Sequence, residues 1–268
     1  MARRKSISDR GRSASQNPTG AVWLHGRHAV AAALSNPVRQ CHRLLLTAEA
    51  GQSLGEGWRR KRPEGESPAI EVVFVAREAI DAVVPDGAVH QGAALLVDPL
   101  DPLEVSDLRV MASSRDRATV VVLDQVTDPH NVGAVLRSAA AFGAIGLVVQ
   151  DRHAPEETGT LAKAASGALE LVPLVRAVNL ARALEELKDG GFWCLGLDAA
   201  ATTNLSAADL SGRIALVLGS EGQGLRRLVR ESCDLLVRLP ICDGVESLNV
   251  SNAAAVALYE LARPRSPC

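Results

Sequence analysis

The feature that most constrains the fold is a regular alternation of short apolar segments and helical segments from residue 118 onward. Thr119–Leu123 (TVVVL) and Ile214–Leu218 (IALVL) are uninterrupted apolar runs, typical of strands buried on both faces. Helical segments such as Asn131–Phe142 and Leu180–Lys188 lie between the apolar runs. This order predicts an α/β fold whose parallel sheet is covered on both faces. A ligand site is then expected in a crevice at the carboxyl ends of the strands.

The chain is predicted to contain two domains. Residues 1–20 are rich in Arg and Ser and lack apolar periodicity, which predicts a disordered basic tail. Residues 21–98 predict a small α/β domain in which the polar stretch Gly51–Pro68 is a mobile insertion. Residues 99–117 contain two prolines and many charges, which predicts a linker with a short helix at the domain boundary. Residues 118–268 form the parallel-sheet domain.

Composition limits the classes of function. The net charge is −2, so binding to nucleic acid would depend on local patches such as Arg59-Arg60-Lys61-Arg62. Only 3% of the residues are aromatic, which argues against a base-stacking platform. The five cysteines are odd in number and lack C-x-x-C spacing, so we expect a reducing cytoplasm and no bound metal. No apolar run is long enough to span a membrane, and none is expected to do so.

The first polar motif is Asp124–Gly143, which follows an apolar strand. Asn131 lies at the predicted start of a helix, and Arg137 lies within that helix. The positions one turn from the arginine hold only small residues, namely Gly133, Ala134, Ala140 and Ala141. This pattern favours a guanidinium that reaches into a cleft and binds an anionic group. The alternative is a surface arginine whose aliphatic part rests on apolar neighbours.

The second motif is the glycine-rich run Leu218–Leu225 (LGSEGQGL), which also follows an apolar strand. It matches neither G-x-G-x-x-G nor the phosphate-binding P-loop. Glu221 in its middle would repel a pyrophosphate, so the loop suits a ligand with hydroxyl groups or positive charge, such as a ribose or a sulfonium. A plain tight turn is the alternative.

The third motif is Leu239–Glu260 (LPICDGVESLNVSNAAAVALYE), where a polar loop becomes an Ala-rich helix. Free backbone N–H groups and a partial positive charge make a helix start a place for electron-rich ligand atoms. Simple N-capping by a Ser or Asn side chain is the alternative.

In their order along the chain and in their residues, the three motifs closely resemble those of the SpoU (TrmH-like) RNA 2′-O-methyltransferases. The earlier segments WLHGRHAVAAAL and HQGAALLV resemble the small RNA-binding domain of that family, which is similar to ribosomal protein L30e. The resemblance covers nearly the whole chain apart from the tail and the 51–68 insertion. It implies a SPOUT-type domain with a deep trefoil knot, a homodimer and bound S-adenosylmethionine. The two-domain form most resembles enzymes that methylate a guanosine in 23S rRNA, with tRNA guanosine enzymes as close relatives.

The resemblance also implies roles for individual residues. The catalytic set it implies is Asn131, Arg137, Glu221, Ser247 and Asn249. The cofactor contacts it implies are Leu197, Gly219, Leu239, Leu248 and Ser251. The RNA contacts expected from the small domain are Arg27, His28, Arg59, Arg60, Lys61 and Arg62. Glu246 and Cys242-Asp243 depart from the residues that are usual in the family, which bears on substrate fit and on local packing.

Two roles for Arg137 stay open at this stage. The family's proposed base is the arginine, yet guanidinium pKa values above about 12 make neutral arginine scarce. Arg137 could instead bind the target phosphate and stabilise the developing alkoxide. In either role, Asn131, Ser247 and Asn249 would orient the arginine and the ribose, while Glu221 would help to hold the glycine loop and the arginine. A non-catalytic RNA-binding protein of the same fold is the rival reading. A dinucleotide oxidoreductase is disfavoured because Leu123–Gly133 lacks the glycine fingerprint. The cofactor motifs lie outside the small domain, so the large domain is expected to fold without it.

Overall fold

The structure is a computed structural model that describes residues 20–55, 70–152, 154–242, 244 and 247–263. The predicted tail, the Arg59–Arg62 run and most of the 51–68 insertion lie outside these ranges, as do Asp243 and Glu246. Among the described helices, none is both long and apolar enough to cross a membrane.

The N-terminal part of the described chain is a four-stranded sheet with strand order β1-β4-β2-β3. The central strand β4 is buried at all five positions and runs antiparallel to β1 and β2, while β3 is parallel to β2. The strands are β1 Val22–His25, β2 Cys41–Leu46, β3 Glu71–Phe74 and β4 Ala93–Val97; the helices are α1 Arg27–Ser35, α2 Ala48–Leu54 and α3 Arg77–Asp81.

The C-terminal part is a seven-stranded sheet with strand order β7-β6-β5-β10-β8-β11-β9, and every strand pair recorded in it is parallel. Its strands are β5 Ala118–Asp124, β6 Gly146–Gln150, β7 Leu174–Ala177, β8 Phe192–Leu197, β9 Thr203–Asn204, β10 Arg213–Gly219 and β11 Leu235–Arg238. Its helices are α4 Val105–Ser113, α5 Pro129–Ala141, α6 Gly159–Ala165, α7 Leu180–Asp189, α8 Arg227–Glu231 and α9 Val250–Ala262. Two hydrophobic clusters pack on the sheet and include residues of both its faces. The predicted α/β class is therefore confirmed, whereas the trefoil knot stays a prediction.

Local differences from the sequence prediction have identifiable causes. The pattern predicts one helix over Thr160–Glu170, but α6 ends at Ala165. Ser166 and Gly167 adopt positive φ values of 52° and 92°, which an α-helix cannot continue through. A Cβ on Gly167 would lie 2.7 Å from the Cβ of Ala32 in α1, so the glycine permits a close contact between the two sheets' helices. Strands β1 and β9 were not predicted. The prediction of a mobile insertion at 51–68 is wrong at its start, because Gly51–Leu54 form the end of helix α2, which Thr47 caps through its side chain.

The two sheets share one apolar core. A single cluster joins Leu24 and Val30 of the N-terminal part to Leu161 and Ala165 of α6. The contact is close, because a Cβ on Gly159 would meet the carbonyl oxygen of Trp23 at 2.4 Å. Burial of this apolar surface stabilises the pair of domains together.

A buried arginine crosses the same boundary. The Arg39 side chain is 0% exposed, and its Nη2 lies 2.6 Å from Oε1 of Glu170 while Nη1 also pairs with Glu157. Nη1 donates a further hydrogen bond to the carbonyl oxygen of Asp98. Burial alone lowers the pKa of Arg39, but the hydrogen bonds and charges of Glu170 and Glu157 outweigh it and raise that pKa. The interface argues against the expectation that the large domain folds alone, because removing the small domain would leave these carboxylates unpaired.

We predict that Arg39→Ala lowers the free energy of unfolding by about 3–5 kcal/mol, because it leaves two partly or wholly buried carboxylates without a cation. Urea denaturation followed by circular dichroism measures the change. The matched control is Arg227→Ala, which removes an exposed pair with Glu231 and should cost about 0–1 kcal/mol. Equal effects of the two substitutions would contradict the role given to the Arg39 pairs.

A second prediction concerns His25 in β1, which is 2% exposed and whose Nδ1 has no hydrogen-bond partner among the described residues. Burial, together with the nearby charges of Lys163 and His90, lowers its pKa from 6.5 to about 4. The unfolded chain therefore takes up this proton first as the pH falls, and the folded protein loses stability between pH 6.5 and about pH 4. His25→Gln should flatten that loss in urea titrations across this range. Substitution of the exposed His130 to Gln is the control, and an unchanged wild-type slope in His25→Gln would disprove the assignment.

Candidate active site

The large sheet has a pocket of about 460 Å³ at the carboxyl ends of its strands. The glycine loop after β10 forms one wall, and the chain that leaves β8 and β11 forms the others. Its apolar lining consists of Leu197, Leu218, Leu239, Leu248 and Ala253, among others. This is the edge of the sheet where the alternation of strands and helices predicts a ligand site.

The glycine loop folds back on itself directly after β10. Ser220 and Gly224 form an isolated antiparallel bridge, and Gly224 N donates to the Ser220 carbonyl oxygen at 2.9 Å. A Cβ on Gly219 would lie 2.1 Å from the carbonyl carbon of Gly224, so no larger residue fits there. The run GSEGQG therefore exposes its backbone to the pocket as a closed loop.

A hydrogen-bonded cluster unites the three sequence motifs. Oε1 of Glu221 accepts from Nδ2 of Asn249 at 2.6 Å and from Nδ2 of Asn131 at 3.4 Å. Nδ2 of Asn249 also donates to Oδ1 of Asn131 at 3.1 Å. The Glu221 carboxylate further accepts from the backbone N of Val250, the first residue of α9. One carboxylate thus holds the starts of α5 and α9 against the glycine loop.

Asn249 also caps α9. Its Oδ1 accepts from the backbone N of Ser251 at 2.9 Å and from that of Asn252 at 3.4 Å. The Ser251 hydroxyl donates to the same oxygen at 2.6 Å. Asn249 can therefore cap the helix and join the cluster at the same time, because its amide oxygen accepts from the helix backbone and its amide nitrogen donates to Glu221 and Asn131.

Four of the five predicted cofactor contacts line the pocket and one does not. Leu197, Gly219, Leu239 and Leu248 line the pocket, as do the predicted catalytic residues Ser247 and Glu221. Ser251 does not line it, because its hydroxyl is directed to the Asn249 side chain instead.

Arg137 lies away from this cluster. Six residues along α5 from Asn131, it is displaced by about 9 Å and about one third of a turn. It is exposed, makes no hydrogen bond or ion pair within the described ranges, and lines a separate depression beside Ala140 and Ser166. In the described chain, Arg137 therefore has no hydrogen bond to the residues expected to orient it, Asn131, Ser247 and Asn249, nor to Glu221, which was expected to help hold it. The space beside Gly133 is not open to the Arg137 side chain, because helix α6 fills it. A Cβ on Gly133 would meet the Ala164 Cβ at 2.4 Å.

The expected RNA contacts that fall in the described chain lie in the small domain. Arg27 and His28 are exposed at the start of α1. Nη1 of Arg27 donates to the Ser53 hydroxyl at 2.7 Å, and its backbone N donates to Oε1 of Gln91. Arg27 lines a depression that also holds Arg77, separate from the pocket of the large sheet.

Four charged residues around the pocket were missed from the sequence. Asp198 and Arg230 line it and form an ion pair at 3.2 Å. Asp124 is 0% exposed at the end of β5 and pairs with Arg226. A carboxylate that ends an apolar strand was the available signal for Asp124.

Two cysteines of the large domain have raised thiol pKa values. Burial raises the pKa values of Cys194 and Cys233 to about 12, so both remain thiols near neutral pH. The described residues contain no group of three or more His, Cys, Asp or Glu side chains placed to hold a metal ion.

Comparisons with known proteins identify the family of the chain. Residues 118–259 match the model of the SpoU rRNA Methylase family, and residues 23–103 match that of the RNA 2′-O ribose methyltransferase substrate-binding domain. The 23S rRNA (guanosine-2′-O-)-methyltransferase RlmB of Xylella fastidiosa is 41% identical, over 91% of this chain and 97% of the relative. An uncharacterized tRNA/rRNA methyltransferase of Synechocystis is 42% identical over 90% of this chain, which spans 62% of that relative's length.

A solved structure is also similar over both domains. The SpoU methyltransferase AviRb of Streptomyces viridochromogenes, in complex with AdoMet, superposes with a TM-score of 0.71 and 25% identity. The match covers 91% of this chain and 90% of AviRb. Since the methylase model spans more than half of the chain and the RlmB relative is matched over almost its whole length, the chain belongs to the SpoU rRNA methylase family.

Proposed function

We propose that this protein transfers a methyl group from S-adenosylmethionine to a ribose 2′-hydroxyl of RNA, with a guanosine of 23S rRNA as the target. The observation that carries the proposal is the Glu221 carboxylate, which joins all three motifs at the rim of one pocket. The RlmB relatives, named for this reaction and about 40% identical, support the choice of 23S rRNA. Such a substrate is found in the cytoplasm.

The residues of the pocket fit S-adenosylmethionine. A volume of about 460 Å³ falls within the usual range for ligands of this size. Leucine side chains, including Leu197, Leu239 and Leu248, offer apolar surface to an adenine ring. Asp198 at the lining is paired with Arg230. Glu221 therefore supplies the negative charge at the lining, which suits a cationic ligand.

The chemistry requires a proton to leave a weakly nucleophilic hydroxyl whose oxygen is held in line for attack. When bound, S-adenosylmethionine supplies a methyl group made electrophilic by its sulfonium. The Asn249 amide is fully used, since its nitrogen donates to Glu221 and Asn131 and its oxygen caps α9. The Asn131 amide is held by these contacts and keeps one N–H donor and one lone pair fixed in direction. Ser247 adds a hydroxyl group at the pocket. We assign the orientation of the ribose to Asn131 and Ser247, with Asn249 and Glu221 holding Asn131 in place.

A homodimer gives Arg137 a place in the reaction. Helices α5 and α9 pack together, and the ring of Phe142 after α5 meets Tyr259 edge-on at 5.9 Å. Val256 and Tyr259 of α9 are 49% and 54% exposed, so this helix pair presents apolar surface to a partner. We infer that a second copy covers this face and that Arg137 acts at the partner's pocket, where its guanidinium binds the RNA phosphate and stabilises the developing alkoxide.

The proposed reaction is tested by its cofactor and its product. We expect S-adenosylhomocysteine, but not NAD, to bind the purified protein in calorimetry. Mapping of 2′-O-methyl groups in 23S rRNA and tRNA should show one 23S guanosine that is methylated only when the protein is present. If the methyl group that depends on the protein lies on a tRNA guanosine instead, the substrate is tRNA and not 23S rRNA. NAD binding without S-adenosylhomocysteine binding would refute the reaction.

For Arg137, we predict that both Arg137→Ala and Arg137→Lys fold and still bind S-adenosylhomocysteine, because the side chain is exposed outside the pocket. Methyl transfer to RNA should fall by at least about 100-fold, as expected when a positioned catalytic group is lost. Lysine should restore little, since it lacks the planar fork. Arg182→Ala, an exposed arginine on α7, is the control and should keep wild-type turnover.

Subunit mixing tests whether Arg137 acts across the dimer. Inactive Arg137→Ala subunits are co-refolded with inactive Ser247→Ala subunits. If the arginine serves the partner's pocket, each mixed dimer holds one intact site, and activity should return to about one quarter of wild type. If it serves its own pocket, no mixed dimer holds an intact site and activity stays absent.

A further inference from the structure

We propose that Asp124 and Arg226 are positioning residues for the cofactor. Their ion pair closes the base of the glycine loop 219–225 and keeps the loop in the shape that forms a pocket wall. The inference rests on the proposed function, since it takes the pocket to be the S-adenosylmethionine site.

Both oxygens of the Asp124 carboxylate bind Arg226. Oδ2 accepts from the backbone N of Arg226 at 2.8 Å, and Oδ1 accepts from its Nε at 2.7 Å. Nη2 of Arg226 lies 2.6 Å from the same Oδ1. The Asp124 side chain is 0% exposed, whereas that of Arg226 is 39% exposed. A buried carboxylate with this many charge-assisted contacts defines the position of its partner closely.

Both ends of the loop are thereby attached to β5. Gly219, where the loop begins, is the register partner of Asp124 in the parallel β10–β5 ladder. Arg226, directly after the loop, is bound by the Asp124 side chain. Between these points, Ser220 to Leu225 line the pocket. The loop's span is therefore set by a single residue of β5, through its backbone at one end and its carboxylate at the other.

A second ion pair completes the attachment on the opposite side. Arg230 lies one turn beyond Arg226 and pairs with Asp198, which follows β8 and lines the pocket. Strands β5 and β8 are the two neighbours of β10 in the sheet. The segment after the loop is thus fixed to the strands on both sides of the one that carries the loop.

A pair that served only global stability would behave differently from a pair that shapes the loop. Loss of global stability would speed amide exchange throughout the domain and lower the melting temperature, while the remaining folded protein bound ligand normally. Loss of loop shape would speed exchange at the loop and weaken ligand binding in protein that is still folded.

The test uses the full chain with Arg226→Gln and Asp124→Asn, and with Arg227→Gln as the matched control. Arg227 is the adjacent residue, and its side chain is 75% exposed and pairs with Glu231 on the surface. Calorimetry with S-adenosylhomocysteine gives the Kd. Hydrogen–deuterium exchange of peptides that cover the loop gives its opening. We expect Arg226→Gln to raise the Kd by about 10- to 100-fold, the range for losing charged hydrogen bonds, and to speed exchange more at the loop than in the rest of the domain.

Kinetics separate positioning from chemistry. The KM for S-adenosylmethionine should rise with the Kd, while kcat at saturating cofactor stays within about threefold of wild type. The double variant should bind little worse than Arg226→Gln, because both changes remove one interaction. If Asp124→Asn fails to fold, the Kd and the loop exchange of Arg226→Gln alone test the inference.

The outcomes are distinct. An Arg226→Gln protein that binds S-adenosylhomocysteine as tightly as wild type, with unchanged loop exchange, overturns this inference alone. A wild-type protein that binds no S-adenosylhomocysteine overturns the proposed function, and this inference with it.

Discussion

The site depends on the Glu221 carboxylate, which holds together three segments that are distant in the chain. It accepts hydrogen bonds from Asn131 at the start of α5 and from Asn249 and Val250 at the start of α9. Two helix N-termini, each with a partial positive charge, therefore meet a negative charge placed on a loop. This explains why an acidic residue occurs in a glycine loop that would otherwise resemble a phosphate-binding one.

Arginine–carboxylate ion pairs fix relative positions at two places in the structure, between the two sheets and between the glycine loop and the large sheet. Arg39 joins the two sheets through Glu157 and Glu170, and Arg226 joins the glycine loop to β5 through Asp124. In each pair at least one side chain is fully buried. Such pairs contribute little net stability compared with apolar packing, but removing one partner is costly and their geometry is specific. They are suited to fixing relative positions, which is what a substrate-binding domain and a cofactor loop both require.

The sequence predicts much of the fold because apolar runs such as Thr119–Leu123 identify buried parallel strands without reference to tertiary structure. It fails where tertiary contacts decide the backbone, as at Ser166 and Gly167, whose positive φ values end α6 against α1. The polar cluster of Glu221, Asn131 and Asn249 was available from motif order and resemblance. The ion pairs of Asp124 and Arg39 were not, because their partners are separated by about a hundred residues or more and no local pattern identifies them.

The position of Arg137 supports the proposal that two copies of the chain form one catalytic unit. A helix fixes the direction of each side chain, and Asn131 and Arg137 project from α5 about one third of a turn apart. In the described residues the Arg137 side chain is exposed and makes no hydrogen bond to the cluster, and α5 is packed at Gly133 against Ala164 of α6. If methyl transfer needs both residues, as we propose, a second copy of α5 supplies the arginine to the pocket that the first copy's Asn131 borders. On that proposal, the cofactor pocket and Arg137 come together only when the dimer forms.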